Sequence, residues 1–399
     1  RRSHRIFNWH ANKNPQMGGS YLHRLAAAHY HRPENLPPPL LECAQASQAI
    51  ESLLRDLRIK MKIVFQSYAF HPAVGGIESS AQIFIREFIN AGHEIRVHTL
   101  TSLGTQQEIN TVPVSRNPTL RQLLHDFKWA DIIYQHNPSL RLSWPSLLRS
   151  TPKVISIRTW MRRHTDNRIS LLDRIKRYYV SRQTVISNSQ ATADDLDFFS
   201  TVIQNAYDDR IFNNTTKSDA RDGLVFVGRL VKDKGCDVLI NALAQLNASE
   251  PRQHLTIIGG GPEEAALKQQ AMNLSLTKQI KFLGQQPSSA VAQILNQSKY
   301  HIIPSRWAEP FGIVALEGIA CGAIPIGTDQ GGLVDAIGKC GPLFPANDFG
   351  ALAALIEELD QTPQLYRQYL DEQQHHLIQH SPKTVAQRYL EIFEKASQR

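Results

Sequence analysis

The segment Leu224-Val-Phe-Val-Gly-Arg-Leu-Val-Lys-Asp-Lys-Gly235 begins as an uninterrupted apolar run and breaks at a glycine into a loop carrying Arg229 and Lys234. A run without polar alternation is what a strand covered on both faces requires. A helical pattern follows, and strand–loop–helix is the unit of a parallel α/β sheet. The unit recurs downstream at His254–Gly260, Ile280–Gly284, Tyr300–Pro304 and Ile324–Thr328. It also recurs upstream at Lys62–Ser67, Glu94–Leu100, Asp131–His136, Lys153–Thr159 and Thr184–Asn188. Between the first two upstream runs, Ile77, Ala81, Phe84, Ile85 and Phe88 repeat at helical spacing. The polar stretch Asn205–Gly223 has no periodicity and reads as a linker. These signals predict an α/β protein with two tandem domains, residues 61–207 and 208–375, separated by a cleft. The last segment, residues 376–399, contains an amphipathic helix near Pro382–Ala396 expected to pack back toward the first domain.

The 399 residues include 42% hydrophobic and 20% charged side chains, which excludes collagen-like and wholly disordered classes. No run approaches the ~18 consecutive apolar residues of a membrane-spanning helix. Four cysteines, Cys43, Cys236, Cys321 and Cys340, lack both C-x-x-C spacing and the density of a disulfide scaffold. They read as buried small hydrophobes in a reducing cytoplasm. No metal site is expected, because the 16 histidines never pair with cysteines at ligand spacing. Residues 1–60 differ from the rest, with several histidines and the run Pro37–Pro39 ahead of Met61. They read as a disordered or artefactual extension with a helix near 42–58, or as an Arg-rich transit peptide.

Open parallel sheets place ligands beyond the carboxyl ends of their strands, so five loops carry the functional argument. Gly75–Gly76 precedes a helix, and paired glycines either admit a phosphate or sugar close to backbone amides or simply form a tight turn. Arg229 and Lys234 offer a planar fork and a compact charge for a diphosphate, or are surface basicity. Gly259–Gly260–Gly261–Pro262 does not fit G-x-G-x-x-G and lacks the acidic residue about twenty positions on, so it reads as a tight turn near a nucleotide rather than a dinucleotide fingerprint. Ser305-Arg-Trp-Ala-Glu309-Pro-Phe-Gly-Ile-Val-Ala-Leu-Glu317 sets two carboxylates eight residues apart around a helix start. The amides of Phe311, Gly312 and Ile313 there form an anion site. Glu317, amid apolar neighbours, lies about two turns into that helix on the ligand side. Finally, His136 at a strand's end is an acid, base or sugar-bonding group, or a satisfied core histidine.

In this order the motifs resemble the retaining GT-B glycosyltransferases of the large family four. The resemblance rests on Gly75–Gly76, on Gly228-Arg-Leu-Val-Lys-Asp-Lys-Gly235, and on Glu309 to Glu317 with seven residues between. It extends to Ile203-Gln-Asn205 and to Thr328-Asp-Gln-Gly-Gly-Leu-Val-Asp335, where Asp335 stands in place of the family's usual Glu. It covers nearly all of residues 61–395. It implies two Rossmann-like parallel-sheet domains facing a central cleft. It further implies transfer of a sugar from a nucleotide-diphosphate-sugar, with no other cofactor and no metal, to a glycan or lipid-linked acceptor in polysaccharide or cell-envelope glycoconjugate synthesis. Arg229 and Lys234 would neutralise the departing diphosphate, and Glu317 would hold the ribose. Glu309 would face the transferred sugar, and the amides of Phe311–Ile313 with Gly75 and Gly76 would cradle phosphate and sugar oxygens. His136 aligns with a histidine near the reacting carbon, and Arg158 is the candidate for a second family position in the first domain. The rival expectations are a non-catalytic sugar-nucleotide or glycan binder of the same fold, or a GT-B epimerase or phosphorylase.

The charge is uneven. Residues 139–182 hold eleven Lys or Arg, including Arg162, Arg163, Arg168 and Arg174, against two acids. This region is either a solvated helix face or a surface for an anionic acceptor or anionic lipid, which would place the protein peripherally at the inner face of a membrane. No nucleic-acid motif accompanies the charge, so nucleic acid is not expected as a partner.

Overall fold

The computed structural model describes residues 60–72, 75–102, 108–109, 112–162, 169–248 and 253–398. Expectations for residues 1–59, including Cys43 and the helix near 42–58, and for Arg163 and Arg168, lie outside the described residues. From Met61 onward the chain forms one compact unit.

Its first sheet contains β1 (Lys62–Ser67), β2 (Glu94–Thr99), β3 (Glu108–Ile109), β4 (Val112–Arg116), β5 (Ile132–His136), β6 (Lys153–Ile157), β7 (Thr184–Ser187) and β8 (Thr201–Val202). The strand order is β3-β4-β2-β1-β5-β6-β7-β8, and every pairing except β3 with β4 is parallel. The second sheet contains β9 (Leu224–Val227), β10 (Leu255–Ile258), β11 (Ile280–Phe282), β12 (Tyr300–Ile303), β13 (Ile324–Thr328) and β14 (Leu343–Phe344). It is wholly parallel, in the order β11-β10-β9-β12-β13-β14. Both sheets therefore start in the middle, run outward, return to the middle and run out the other way. The order reverses between β1 and β5 in the first sheet and between β9 and β12 in the second. Crevices form at such reversals, beyond the carboxyl ends of the strands. Gly75–Gly76 follows β1, His136 ends β5, Arg229 and Lys234 follow β9, and Glu309 follows β12.

Strands β3, β4, β8 and β14 were not expected from sequence. β3, β8 and β14 have two residues each, too few for a periodic pattern, and Pro113 interrupts β4. Observed strands also end one to three residues before several expected limits, because each carboxyl end turns into a loop. Cys236, Cys321 and Cys340 are buried and unpaired.

The last helix, Pro382–Ser397, begins with Pro382 at N1 and Ser381 capping Thr384 N. Its buried face, Val385, Tyr389, Leu390 and Phe393, joins the core of the first sheet beside Phe84 and Phe88. Burying an aromatic of this size contributes about 2–3 kcal/mol. The helix is thus an integral part of the first lobe's core. The chain crosses between lobes a first time near Asn205, whose carbonyl accepts from His380 Nδ1 at 2.8 Å at the second crossing.

Candidate functional site

The loop after β9 and the loop after β12 are held against each other by their backbones. Gly235 has φ +66°, and a Cβ there would lie 2.0 Å from the Pro304 carbonyl, so only glycine permits the approach. Arg306 N and Trp307 N donate to Asp233 O at 2.8 and 3.2 Å. The Arg306 guanidinium grips Asp237 with two bonds of 2.6 Å. Burial works against ionisation of Asp237, but those bonds prevail and hold its carboxyl below the usual range. The clamp sets Lys234 opposite Glu309.

Lys234 Nζ lies 2.5 Å from Glu309 Oε1, and Ser305 Oγ donates to the same oxygen at 2.8 Å. Glu309 is 8% exposed. Thr328 Oγ1 donates to Ser305 O at 2.9 Å, which fixes the serine in turn. Gly331, at φ +62°, packs where a Cβ would lie 2.5 Å from Glu309 O, and Gly332 N donates to that carbonyl at 2.7 Å. The acidic side chain is therefore fixed from both ends. Lys234 also sits 5.6 Å from the Trp307 ring centroid. Arg229 is exposed at the mouth of the loop, and its guanidinium makes no hydrogen bond or ion pair among the described residues. Leu230 N donates to Gly260 O, so the triple-glycine turn after β10 backs the Arg229 loop.

Helix Ile313–Ala320 starts at Gly312 with no side-chain cap, leaving its first amides unclaimed by side chains. A Cβ on Gly76 would lie 3.8 Å from Ile313 Cγ2, so the glycine turn of one lobe faces the helix start of the other. Trp160, from the loop after β6, spans the cleft and donates from Nε1 to Ala308 O at 2.8 Å. Asp335 also reaches across, accepting from Gln190 N at 2.6 Å. The structure thus brings Gly76, Lys234, Glu309, Gly312 and Ile313 to one cleft, with Phe311 buried behind the amide row.

Glu317 lies one turn further along the helix. No hydrogen bond or ion pair holds its carboxyl among the described residues. Burial, with the nearby Asp208 charge adding to it, pushes its pKa up to about 8 from 4.5. The sign follows directly. The folded state retains a proton that the unfolded chain releases, so this group's contribution is full below pH ~4.5 and is lost as pH rises through about 8. Glu317→Gln should therefore raise the melting temperature of the ligand-free protein at pH 8–9, with the gain vanishing toward pH 5. A gain independent of pH would refute the assignment.

His136 is fully buried, stacked on Phe65 and edge-on to Phe84. Its Nε2 lies 3.2 Å from Ile77 O and 2.9 Å from Ser80 Oγ, and its Nδ1 lies 2.9 Å from Tyr134 OH. A carbonyl only accepts, so Nε2 carries the proton and Nδ1 accepts from Tyr134. Burial, and next the charge of Arg158, hold the imidazole well below its usual pKa. His136 anchors the first turn of helix Gly76–Asn90 and so positions Gly75 and Gly76. His136→Ala should cost about 2–4 kcal/mol in chemical denaturation, from a cavity and lost hydrogen bonds. Unchanged stability with lost turnover would restore a direct chemical role. Arg158 is also buried, at 4% exposure, donating to Asn205 Oδ1 at 2.7 Å and Tyr389 OH at 3.0 Å. It ties the loop after β6 to the first crossing at Asn205 and to the last helix at Tyr389.

Sequence reasoning missed Ser305, Trp160 and the Arg86–Asp208 pair (3.0 Å). Ser305 stands four residues before Glu309 inside the quoted segment, so it could have been found. Trp160 and Arg86 act through contacts distant in sequence and left no local signal.

The two facing parallel sheets and the loops at their reversals define a two-lobed GT-B fold. Residues 208–379 match the family model described as Glycosyl transferases group 1. An uncharacterized glycosyltransferase of Methanocaldococcus jannaschii is 26% identical over 333 residues, 75% of this chain and 89% of that protein. Glycogen synthase of Mycobacterium tuberculosis is 32% identical over 142 residues, 35% of this chain. That match spans only 34% of the relative's own length. Among solved structures, Anabaena Alr3699/HepE in complex with UDP and glucose superposes with TM-score 0.69 at 21% identity, over 84% of this chain and 100% of that one.

Proposed function

We propose that the protein is a retaining, metal-independent glycosyltransferase that moves a sugar from a nucleotide-diphosphate-sugar to an acceptor hydroxyl. The acceptor class is a polysaccharide, lipid-linked glycan or cell-envelope glycoconjugate precursor. The observation that carries this reading is the placement of Lys234 against Glu309 at the strand reversal of the second sheet, with exposed Arg229 five residues earlier in the same loop. Cleaving a glycosyl–phosphate bond develops positive charge at the anomeric carbon and negative charge on the leaving diphosphate. Arg229, Lys234 and the amides of Gly312 and Ile313 meet the negative charge without reorganising, which is the most effective way to lower such a barrier. Glu309, held rigidly by Ser305 and Lys234, faces the sugar. These fixed cations take the part a metal ion would otherwise play, so chelators should leave turnover unchanged. Trp160 and Asp335 hold the lobes together, and a closed cleft excludes water and favours transfer over hydrolysis.

Glu317 accepts the ribose hydroxyls. Those bonds favour the carboxylate, so donor affinity should fall as pH drops below about 8, by up to about tenfold per pH unit. A panel of nucleotide sugars tested for thermal stabilisation identifies the donor, because a ligand bound only by the native state raises apparent stability. NMR of the product's anomeric proton then reads the retained configuration. Failure of every nucleotide sugar to stabilise the protein overturns the reading. Stabilisation without transfer to any acceptor favours the non-catalytic sugar-nucleotide binder.

A further inference from the structure

The first lobe carries a second surface that the donor cleft does not use. Helix Leu171–Ser181 buries Tyr179 and Val180, yet Leu171, Ile175 and Tyr178 are 75%, 49% and 65% exposed. Their i, i+4, i+7 spacing makes one continuous stripe. The adjoining turn Trp144–Leu148 exposes Trp144, Leu147 and Leu148 by 50–66%. Trp144, Leu147 and Ile175 line one groove of about 410 Å³, so turn and helix present a single patch. Large apolar side chains left together in water mark a surface made for a partner.

Charge identifies the partner. Arg141, Arg149, Arg174 and Arg182 are exposed on the same two elements and the residues that flank them. The one acid in the helix, Asp173, is occupied in capping Ser170, whose amide and hydroxyl it accepts at 2.9 and 2.6 Å. The rim thus presents guanidinium groups suited to phosphate around an apolar centre. Trp144 and Tyr178 add rings of the kind that settle at the membrane–water interface.

We propose that this patch inserts into the headgroup region of an anionic lipid leaflet. The stripe Leu171–Ile175–Tyr178 and the turn Trp144–Leu148 enter the acyl boundary, and the arginines pair with lipid phosphates. No helix among the described residues is long and apolar enough to cross a membrane, so these elements lie in one leaflet. The inference goes beyond the glycosyl-transfer reading and stands if that reading fails.

The test is flotation of the full 399-residue chain with phosphatidylcholine vesicles, with and without phosphatidylglycerol. The expected result is co-flotation with anionic vesicles only. Leu171→Glu with Ile175→Glu should cut the bound fraction about tenfold or more, and Arg174→Gln with Arg182→Gln should weaken binding and flatten its salt dependence. Should the glutamate variant lose its cooperative melt, brominated acyl chains provide an independent measurement on unaltered protein. They should quench its tryptophan emission, and Trp144→Phe should remove most of that quenching. Absence of flotation, equal flotation on neutral vesicles, or flotation indifferent to the leucine and isoleucine changes overturns the proposal. So does lipid-independent self-association that Leu171→Glu abolishes, which would assign the patch to a second copy of the chain.

Discussion

Lys234→Ala is expected to lower kcat/KM for sugar transfer by about 10²–10³-fold, the usual cost of removing one preorganised partner of a developing anion. Two effects combine. The leaving diphosphate loses a cation, and Glu309, at 8% exposure, keeps only Ser305 as a bonded side-chain partner among the described residues. A buried charge that loses its counter-ion is destabilised by several kcal/mol or takes up a proton. The second effect makes the variant informative in combination. In the double variant Lys234→Ala, Glu309→Gln the orphaned charge is gone, so the protein should regain thermal stability relative to Lys234→Ala while turnover stays low. Turnover within twofold or so of the unaltered protein for Lys234→Ala would mean that the ion pair is structural and the diphosphate is held elsewhere.

Glu309→Gln is expected to lower transfer by about 10³-fold or more while preserving nucleotide-dependent thermal stabilisation to within a few degrees. The amide keeps the size of the carboxyl and can still accept from Ser305, so the loop around Gly331 and Gly332 should hold. What is lost is negative charge opposite the anomeric carbon, where positive charge develops. That charge is needed only in the transition state, so kcat should fall far more than KM changes. Loss of donor binding in parallel with turnover would instead make Glu309 a ground-state ligand.

The parallel architecture was legible because short β-rich runs, several of them continuously apolar as in Leu224–Val227, alternate with helical patterns in both lobes. Ten strands stand near their expected places for that reason. The short edge strands β3, β8 and β14 were not legible, since pairing with a neighbour, rather than any local pattern, makes two residues into a strand. The approach of the two loops has one local requirement: Gly235 lets the loop after β9 meet the end of β12, and this sets Lys234 against Glu309. His136 shows the limit. A histidine at the carboxyl end of a central strand has the same sequence whether its ring turns toward the crevice or into the sheet's covering helix. Here the aromatic neighbours Phe65, Phe84 and Tyr134 and the carbonyl of Ile77 draw it inward. Residue type and strand position cannot reveal that choice, because helix Gly76–Asn90 makes it. Trp160 likewise acquires its meaning only when the opposite lobe supplies the carbonyl of Ala308.

The final helix inside the first lobe's core has a consequence for how the molecule can be made and how it can move. The polypeptide passes from lobe to lobe twice, at Asn205 and at His380, and those two strands of chain are stitched together by a hydrogen bond. Any opening of the lobes is therefore expected to hinge at this paired seam, like a door on two adjacent pins. A gene fragment ending before Pro382 would deprive the amino-terminal half of Tyr389 and Phe393 and leave a greasy trough. Neither half is an independent building block, and chimeras that exchange the first lobe between relatives should carry both the front half and the tail.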